Sequence, residues 1–231
     1  EDPNFKFDSE DNNYSPGTGN PNLKEETADT YTFGVTLSPE FFRGFNLAID
    51  YYDIAIIDAI DTPVTLVGHS MAGYPITAAA NLAPEKISKL VYLCAYVPFA
   101  GKTLGDMRRM APSQPLMEAV QINDDRISFS IDPAQATEKF YHDVDPDRAA
   151  WAVSQLGDQP IDPQETPLTR TNNVPAHYIR CLDDQTIPPA MQVTMSSDWP
   201  KDKVSEMQTS HSPFLSDPLG LAKLLTRITS S

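Results

Sequence analysis

The chain has 231 residues, with 17 Lys and Arg against 32 Asp and Glu, so its formal net charge is −15. Hydrophobic residues at 40% and charged ones at 21% exclude a fully disordered chain, and so acidic a body excludes a nucleic-acid binder that relies on phosphate contacts. No apolar run reaches the roughly 18 residues of a membrane-spanning helix and no charged-then-apolar leader opens the sequence, so no membrane partner is expected and the expected compartment is the cytoplasm.

Residues 1–30 are acidic, poor in apolar side chains and punctuated by Pro, Gly and Asn. They are expected to form a flexible segment, because little burial offsets their ordering entropy. Tyr31, Phe33, Val35 and Leu37 then alternate with polar or small residues, and so do Phe45, Leu47, Ile49 and Tyr51. Two period-two runs joined by a short polar-and-Gly connection predict an antiparallel hairpin within 31–61. The apolar phase slips at Tyr51-Tyr52, where a β-bulge is expected. Residues of about 14–60, with Gly19-Asn20-Pro21-Asn22-Leu23-Lys24-Glu25-Glu26 and Ile49-Asp50-Tyr51-Tyr52-Asp53, resemble a late barrel segment of TonB-dependent outer-membrane receptors. Glu25 stands where that family commonly has Pro. The resemblance implies two barrel strands. Two strands alone cannot close a barrel in lipid, so transport is not expected.

The unit expected over 62–231 follows different rules. Val64–Val67 is a β-branched run ending at Gly68, followed by a predicted helix through about Leu82. Lys89–Ala95, Ala176–Cys181 and Lys203–Met207 read as further buried strands, and a last helix is predicted from about Pro213 to Ile228. Apolar strands alternating with helices predict an α/β fold with a mainly parallel sheet covered on both faces. Residues of about 99–174, rich in Pro, Met and Asp, are predicted to form a helical cap over the carboxyl ends of the strands. Within it Met107, Met110 and Met117 either line an acyl pocket or pack helices, and Trp151 is expected to anchor the cap. Cys94 and Cys181 lie in apolar runs and fit buried free thiols.

Chemistry concentrates at Gly68-His69-Ser70-Met71-Ala72-Gly73, between a strand and a helix. A nucleophilic Ser needs its hydroxyl thrust out of a tight turn, which demands small neighbours. Gly68 and Ala72 supply them, with one methyl of departure from G-x-S-x-G. The Met71 N–H, at the helix start, is the candidate oxyanion donor. A glycine-rich turn that merely packs a helix is the alternative. A catalytic reading needs an acid and then a His later in the chain. His69 belongs to the turn, His142 falls on a solvated cap face and His177 opens a strand. His211 follows the last strand, and Asp184 follows the strand before it. Loops at one edge of a parallel sheet converge, so Ser70, Asp184 and His211 can meet. An exposed Asp183-Asp184 turn and a surface His211 are the plain alternatives.

From about 62 to 228 the chain resembles the α/β-hydrolase superfamily, in its branch of small esterases and hydroxynitrile lyases. The stretches Val64–Gly73 (VTLVGHSMAG), Tyr178–Pro188 (YIRCLDDQTIP) and Ser210–Pro218 (SHSPFLSDP) carry the resemblance. It implies Ser70 as nucleophile, His211 as general base and Asp184 as its orienting acid, with no metal and no cofactor. Asp184 is favoured over Asp183 because the family's acid lies three residues before an Ile-Pro pair. Ser212 stands where the lyase members have Lys, which implies a small ester as substrate rather than a lyase or C–C hydrolase reaction.

Complete members have four more strands before the nucleophile strand, and a loop there supplies the second oxyanion donor. By this reading the chain is a truncated hydrolase in which the receptor-like hairpin replaces the first strands. Loss of one donor slows such enzymes about 10²–10³-fold, so weak activity is expected. An uncovered nucleophile strand is an aggregation-prone edge, to be paired by the hairpin or by a second copy, so a homo-oligomer is expected. The rival from another class is an inactive chimeric fragment that folds only by self-assembly.

Overall fold

The computed structural model of the protein describes residues 63–230 throughout and, as backbone alone, strands β1 (Thr27–Leu37) and β2 (Leu47–Ile57). The chain divides into two compact units, Glu1–Asp61 and Thr62–Ser231. Most of the predicted acidic segment and the turn between the two strands lie outside the described residues. In the first unit β1 and β2 pair antiparallel, in unbroken register from Thr27 opposite Ile57 to Leu37 opposite Leu47. The bulge expected at Tyr51-Tyr52 is absent: Phe33 opposes Tyr51 and Thr32 opposes Tyr52, one residue against one. The apolar phase slip is not accompanied by an extra residue in the ladder, so it leaves the pairing unchanged.

The second unit begins with β3 (Val64–His69), which a single 3-10 turn (Ser70–Ala72) joins to α1 (Gly73–Leu82). After β4 (Ile87–Leu93) the cap follows: α2 (Leu104–Met110), β5 (Val120–Ile122), β6 (Ser128–Ile131), α3 (Pro133–Phe140), α4 (Pro146–Ser154) and β7 (Gln159–Pro160). The core resumes with β8 (Ala176–Cys181), α5 (Pro189–Met195), β9 (Val204–Met207), α6 (Pro213–Ser216) and α7 (Pro218–Thr229). Strands β3, β4, β8 and β9 lie side by side in that order, all parallel. The cap carries a small antiparallel sheet, β5-β6-β7, beside its helices, which the sequence does not announce because its strands are so short.

The sheet is the middle of three layers, and the pleat explains which residues face which layer. Leu90, Tyr92 and Tyr178 point toward α1 and α5, where Tyr74, Ile76, Ala80, Ile187 and Met191 complete one core. Their sequence neighbours Val91, Leu93, Ile179 and Cys181 point the opposite way, into a second core closed by Leu221 and Ile228 of α7. Successive strand residues alternate faces, so a strand buried on both sides must be apolar throughout. Burying each large side chain contributes roughly 1.5–3 kcal/mol, which fixes β4 and β8 as the rigid centre. The single C-terminal helix predicted from Pro213 is two. Asp217 breaks it, its carboxylate accepting from the Gly220 N–H, and Pro218, lacking an N–H, opens α7.

Candidate active site

Ser70 occupies the sharp turn from β3 into the 3-10 segment, with φ at +56°, a left-handed backbone unusual for a residue with a side chain. The Ser70 carbonyl accepts the Tyr96 N–H at 3.0 Å, which pins the turn to the segment leaving β4. A Cβ at Gly68 would lie 2.7 Å from the Ala72 carbonyl oxygen, and one at Gly73 only 2.0 Å from the Tyr96 oxygen. The close approaches therefore fall at Gly68 and Gly73, which is why the intervening motif position tolerates Ala72. Met71, the second residue of the 3-10 turn, has an N–H with no partner inside that turn.

Asp184 and His211 lie on the loops after β8 and β9, at the same end of the sheet as Ser70. His211 is 1% exposed and Asp184 2%, and His211 Nδ1 donates to Asp184 Oδ2 at 2.8 Å. Asp184 is itself held: Oδ1 accepts from the Thr186 and Ile187 N–H groups at 2.7 and 2.9 Å, and Oδ2 also accepts from Gln192 Nε2 at 2.9 Å. A carboxylate facing Nδ1 places the proton there and leaves Nε2 as the basic atom. His211 Nε2 is buried and has no hydrogen-bond partner among the described residues. His211 lines a cavity of about 330 Å³ that Ser70 and Met71 also line. Asp183, exposed, turns away to accept from Gln208.

His69 has more to do than its place in the turn announced. Its Nε2 donates to the His211 carbonyl at 2.7 Å, and its ring lies 4.5 Å from the His211 ring. Burial, and next the neighbouring His211, push the His69 imidazole down to about 3, so it stays neutral at ordinary pH. Cys94 Sγ, at 3.4 Å, is the second donor to the same carbonyl. The cap contributes as well. Asp143 Oδ2 accepts the Ser210 N–H at 2.7 Å, the Phe140 carbonyl accepts Ser210 Oγ at 3.1 Å, and the Lys139 carbonyl accepts Thr186 Oγ1 at 2.9 Å. None of these partners carries a local signal, because each depends on two distant segments meeting.

Ligating atoms of His69, Cys94 and His211 lie within 4.8 Å of one another. His69 Nε2, Cys94 Sγ and His211 Nδ1 are committed to the hydrogen bonds above, and burial raises the Cys94 thiol well above its usual range, against the thiolate a metal requires. Both cysteines are buried free thiols. Of the two roles open to the methionines, Met107 takes the packing one, fully buried in the core, whereas Met110 and Met117 are 50% and 43% exposed and Met71 is the methionine that lines the cavity. Trp151 is 60% exposed on α4 and anchors nothing, since the apolar face of that helix is formed by Ala149 and Ala152.

The pattern of the alpha/beta hydrolase family matches residues 15–224. That range includes 31–61, so the receptor resemblance and the truncation gain no support from it. The chain is 30% identical over 167 residues to the alpha/beta hydrolase nvfD of Aspergillus novofumigatus, covering 67% of this chain and 65% of that protein. It is 30% identical over 182 residues to a putative chloroplastic methylesterase 11 of Arabidopsis thaliana, covering 73% of this chain and 47% of that one. The chain thus spans less than two thirds of the length of either relative. Among solved structures, the pyrethroid hydrolase PytH matches with a TM-score of 0.62 at 25% identity, over 74% of this chain and 72% of that one. Among the described residues no helix is long and apolar enough to cross a membrane.

Proposed function

The chain belongs to the alpha/beta hydrolase family, and from that premise we propose that it is a serine esterase hydrolysing small carboxylic esters through an acyl-enzyme. The observation that carries the reading is the His211 imidazole, oriented by Asp184 at 2.8 Å, with Nε2 unpartnered among the described residues, in a residue that lines the same cavity as Ser70. Its relatives named as esterase or methylesterase support the same chemistry.

In this mechanism Ser70 Oγ attacks the ester carbonyl carbon while His211 Nε2 takes the hydroxyl proton. Asp184 stabilises the imidazolium that forms and holds its tautomer. The tetrahedral oxyanion develops against the Met71 N–H. Collapse breaks the bond to the alcohol, which leaves with the proton from His211. Water, deprotonated by the same Nε2, then attacks the acyl-enzyme and restores Ser70 as the carboxylic acid departs. With Met71 as the one donor identified, turnover about 10²–10³-fold below a two-donor site is expected.

A fluorophosphonate probe tests the assignment. Covalent labelling at Ser70, lost in Ser70→Ala together with ester turnover, supports it. Labelling elsewhere, or equal turnover in the variant, overturns it in favour of an inert fragment. Cyanide release from cyanohydrins without ester turnover would replace hydrolysis by a lyase reaction.

A further inference from the structure

We propose that the esters this site takes carry a carboxylate at their non-reacting end, received by Arg108 and Gln164 of the cap. The inference rests on the esterase reading and narrows its substrate class.

The cavity wall is mostly apolar, with Leu104, Leu116, Phe129, Ile131 and Leu156 among its residues. The chain carries 32 Asp and Glu, yet among the described residues no carboxylate lines this cavity, and Arg108 is its one cationic side chain apart from the histidines. Arg108 lies on α2 beside Arg109, and the two differ in their partners. Arg109 is satisfied by Asp106 at 3.0 Å and Glu165 at 3.6 Å. Arg108 reaches no acidic group among the described residues, and its Nη2 makes one long contact, 3.5 Å, to Gln164 Oε1.

A half-buried guanidinium among apolar groups is unfavourable until an anion meets it, and its planar fork suits a carboxylate. Gln164 is 4% exposed and lines the same cavity. Its carbonyl oxygen faces Arg108, and its amide N–H groups have no partner among the described residues. Beyond that one long contact, the guanidinium of Arg108 and the amide N–H groups of Gln164 have no acceptor among the described residues. Tyr96, whose backbone holds the Ser70 turn, has a phenol pushed up to about 12 by burial, with the Arg108 charge pulling the other way, so the guanidinium field reaches the wall beside Ser70. A cavity of about 330 Å³ is at the small end for ligand sites and suits a compact monoester of a dicarboxylic acid. Hydrolysis then consumes one water and yields the dicarboxylate and an alcohol. The carboxylate at Arg108 is unchanged throughout.

The test compares two esters of similar length, the nitrophenyl monoester of adipic acid and nitrophenyl heptanoate, on the whole chain. The parent is expected to favour the charged ester in kcat/KM, and Arg108→Gln to lower the charged-to-neutral ratio about 10–100-fold, mostly through KM. Arg108→Lys, which keeps the charge without the fork, is expected to fall between them. A parent preference for heptanoate, or a ratio unchanged in Arg108→Gln, overturns the proposal. Should neither ester be turned over, the esterase reading fails. Adipate binding to Ser70→Ala protein by calorimetry still decides the anion site: binding lost in Arg108→Gln supports it, and no binding at all overturns it.

Discussion

In a His69→Phe variant the aromatic ring that packs 4.5 Å from the His211 ring and 5.1 Å from Phe214 is kept, while the Nε2 donor to the His211 carbonyl is lost. That carbonyl then keeps only the weak Cys94 Sγ donor at 3.4 Å. Stripping a buried acceptor of its main partner costs about 1–3 kcal/mol. On the proposed mechanism the larger consequence is kinetic, because the carbonyl belongs to His211, the proposed base for Ser70. A displacement of about 1 Å in such a group costs on the order of 10² in rate, so kcat is expected to fall about 10–100-fold while KM changes less.

The same variant has a signature in pH that a packing defect would not give. His69 in the folded chain protonates near 3, against 6.5 for an ordinary His. Between those values the unfolded chain binds one proton more than the folded one. Stability is therefore fully present above about pH 6.5 and falls as pH drops toward 3, by about 1.4 kcal/mol per pH unit for that proton. Phe cannot take it up, so urea unfolding from about pH 7 to about pH 4 is expected to show a shallower acid loss in the variant. Parent-like kcat together with a parent-like pH slope would refute the clamp.

Ser70→Gly is expected to abolish ester turnover yet gain about 0.5–1 kcal/mol in urea melts, because glycine relieves the φ of +56°; a loss of stability would count against stored strain. Gly73→Ala, whose methyl would sit 2.0 Å from the Tyr96 oxygen, is expected to cut the folded yield sharply, whereas Ala72→Gly should express and melt like the parent. Asp143→Ala leaves the Ser210 N–H without its acceptor, so a loss of about 1–3 kcal/mol with lowered kcat is expected, and full activity would remove the cap from the alignment of His211. Among the described residues strand β3 ends the four-stranded sheet, and we propose self-association along it; light scattering that gives the single-chain mass at every concentration would refute it.

Strand positions were legible where burial is two-sided. Ala176–Cys181 is β8 to the residue, and Lys89–Ala95 is β4 displaced by two, because an uninterrupted apolar run has few other ways to be buried. The pairing of Asp184 with His211 and the place of Ser70 beside His211 along one cavity follow from a related rule: parallel strands fix which loops share an end, whatever lies between them. The cap sheet was not legible, since its strands span only a few half-exposed residues and are held by each other rather than by a pattern. The helix break before Pro218 was visible in Asp217-Pro218, but the apolar spacing of Leu221, Leu224 and Leu225 outweighed it. His69 and Arg108 left no trace for a different reason. One acts through a backbone carbonyl and the other through the want of an acidic neighbour, and neither is written in nearby residues.

The cap is more than a wall of the cavity. Helix α3 ends at Phe140, and a helix end leaves its last carbonyls without intrahelical partners. Here the Lys139 carbonyl takes the hydroxyl of Thr186, whose own N–H binds Asp184, while the Phe140 carbonyl and Asp143 hold Ser210, the neighbour of His211. One turn of cap thereby fixes the loop of Asp184 and the loop of His211 together. Phe140 and Tyr141 of that same turn also line the cavity. Cavity shape and the alignment of His211 therefore share one piece of backbone. On the proposed mechanism, a change at residues 139–143 made to widen the cavity is expected to lower kcat as well as alter specificity, whereas a change at Leu116 or Leu156, which take no part in those hydrogen bonds, is expected to alter specificity alone.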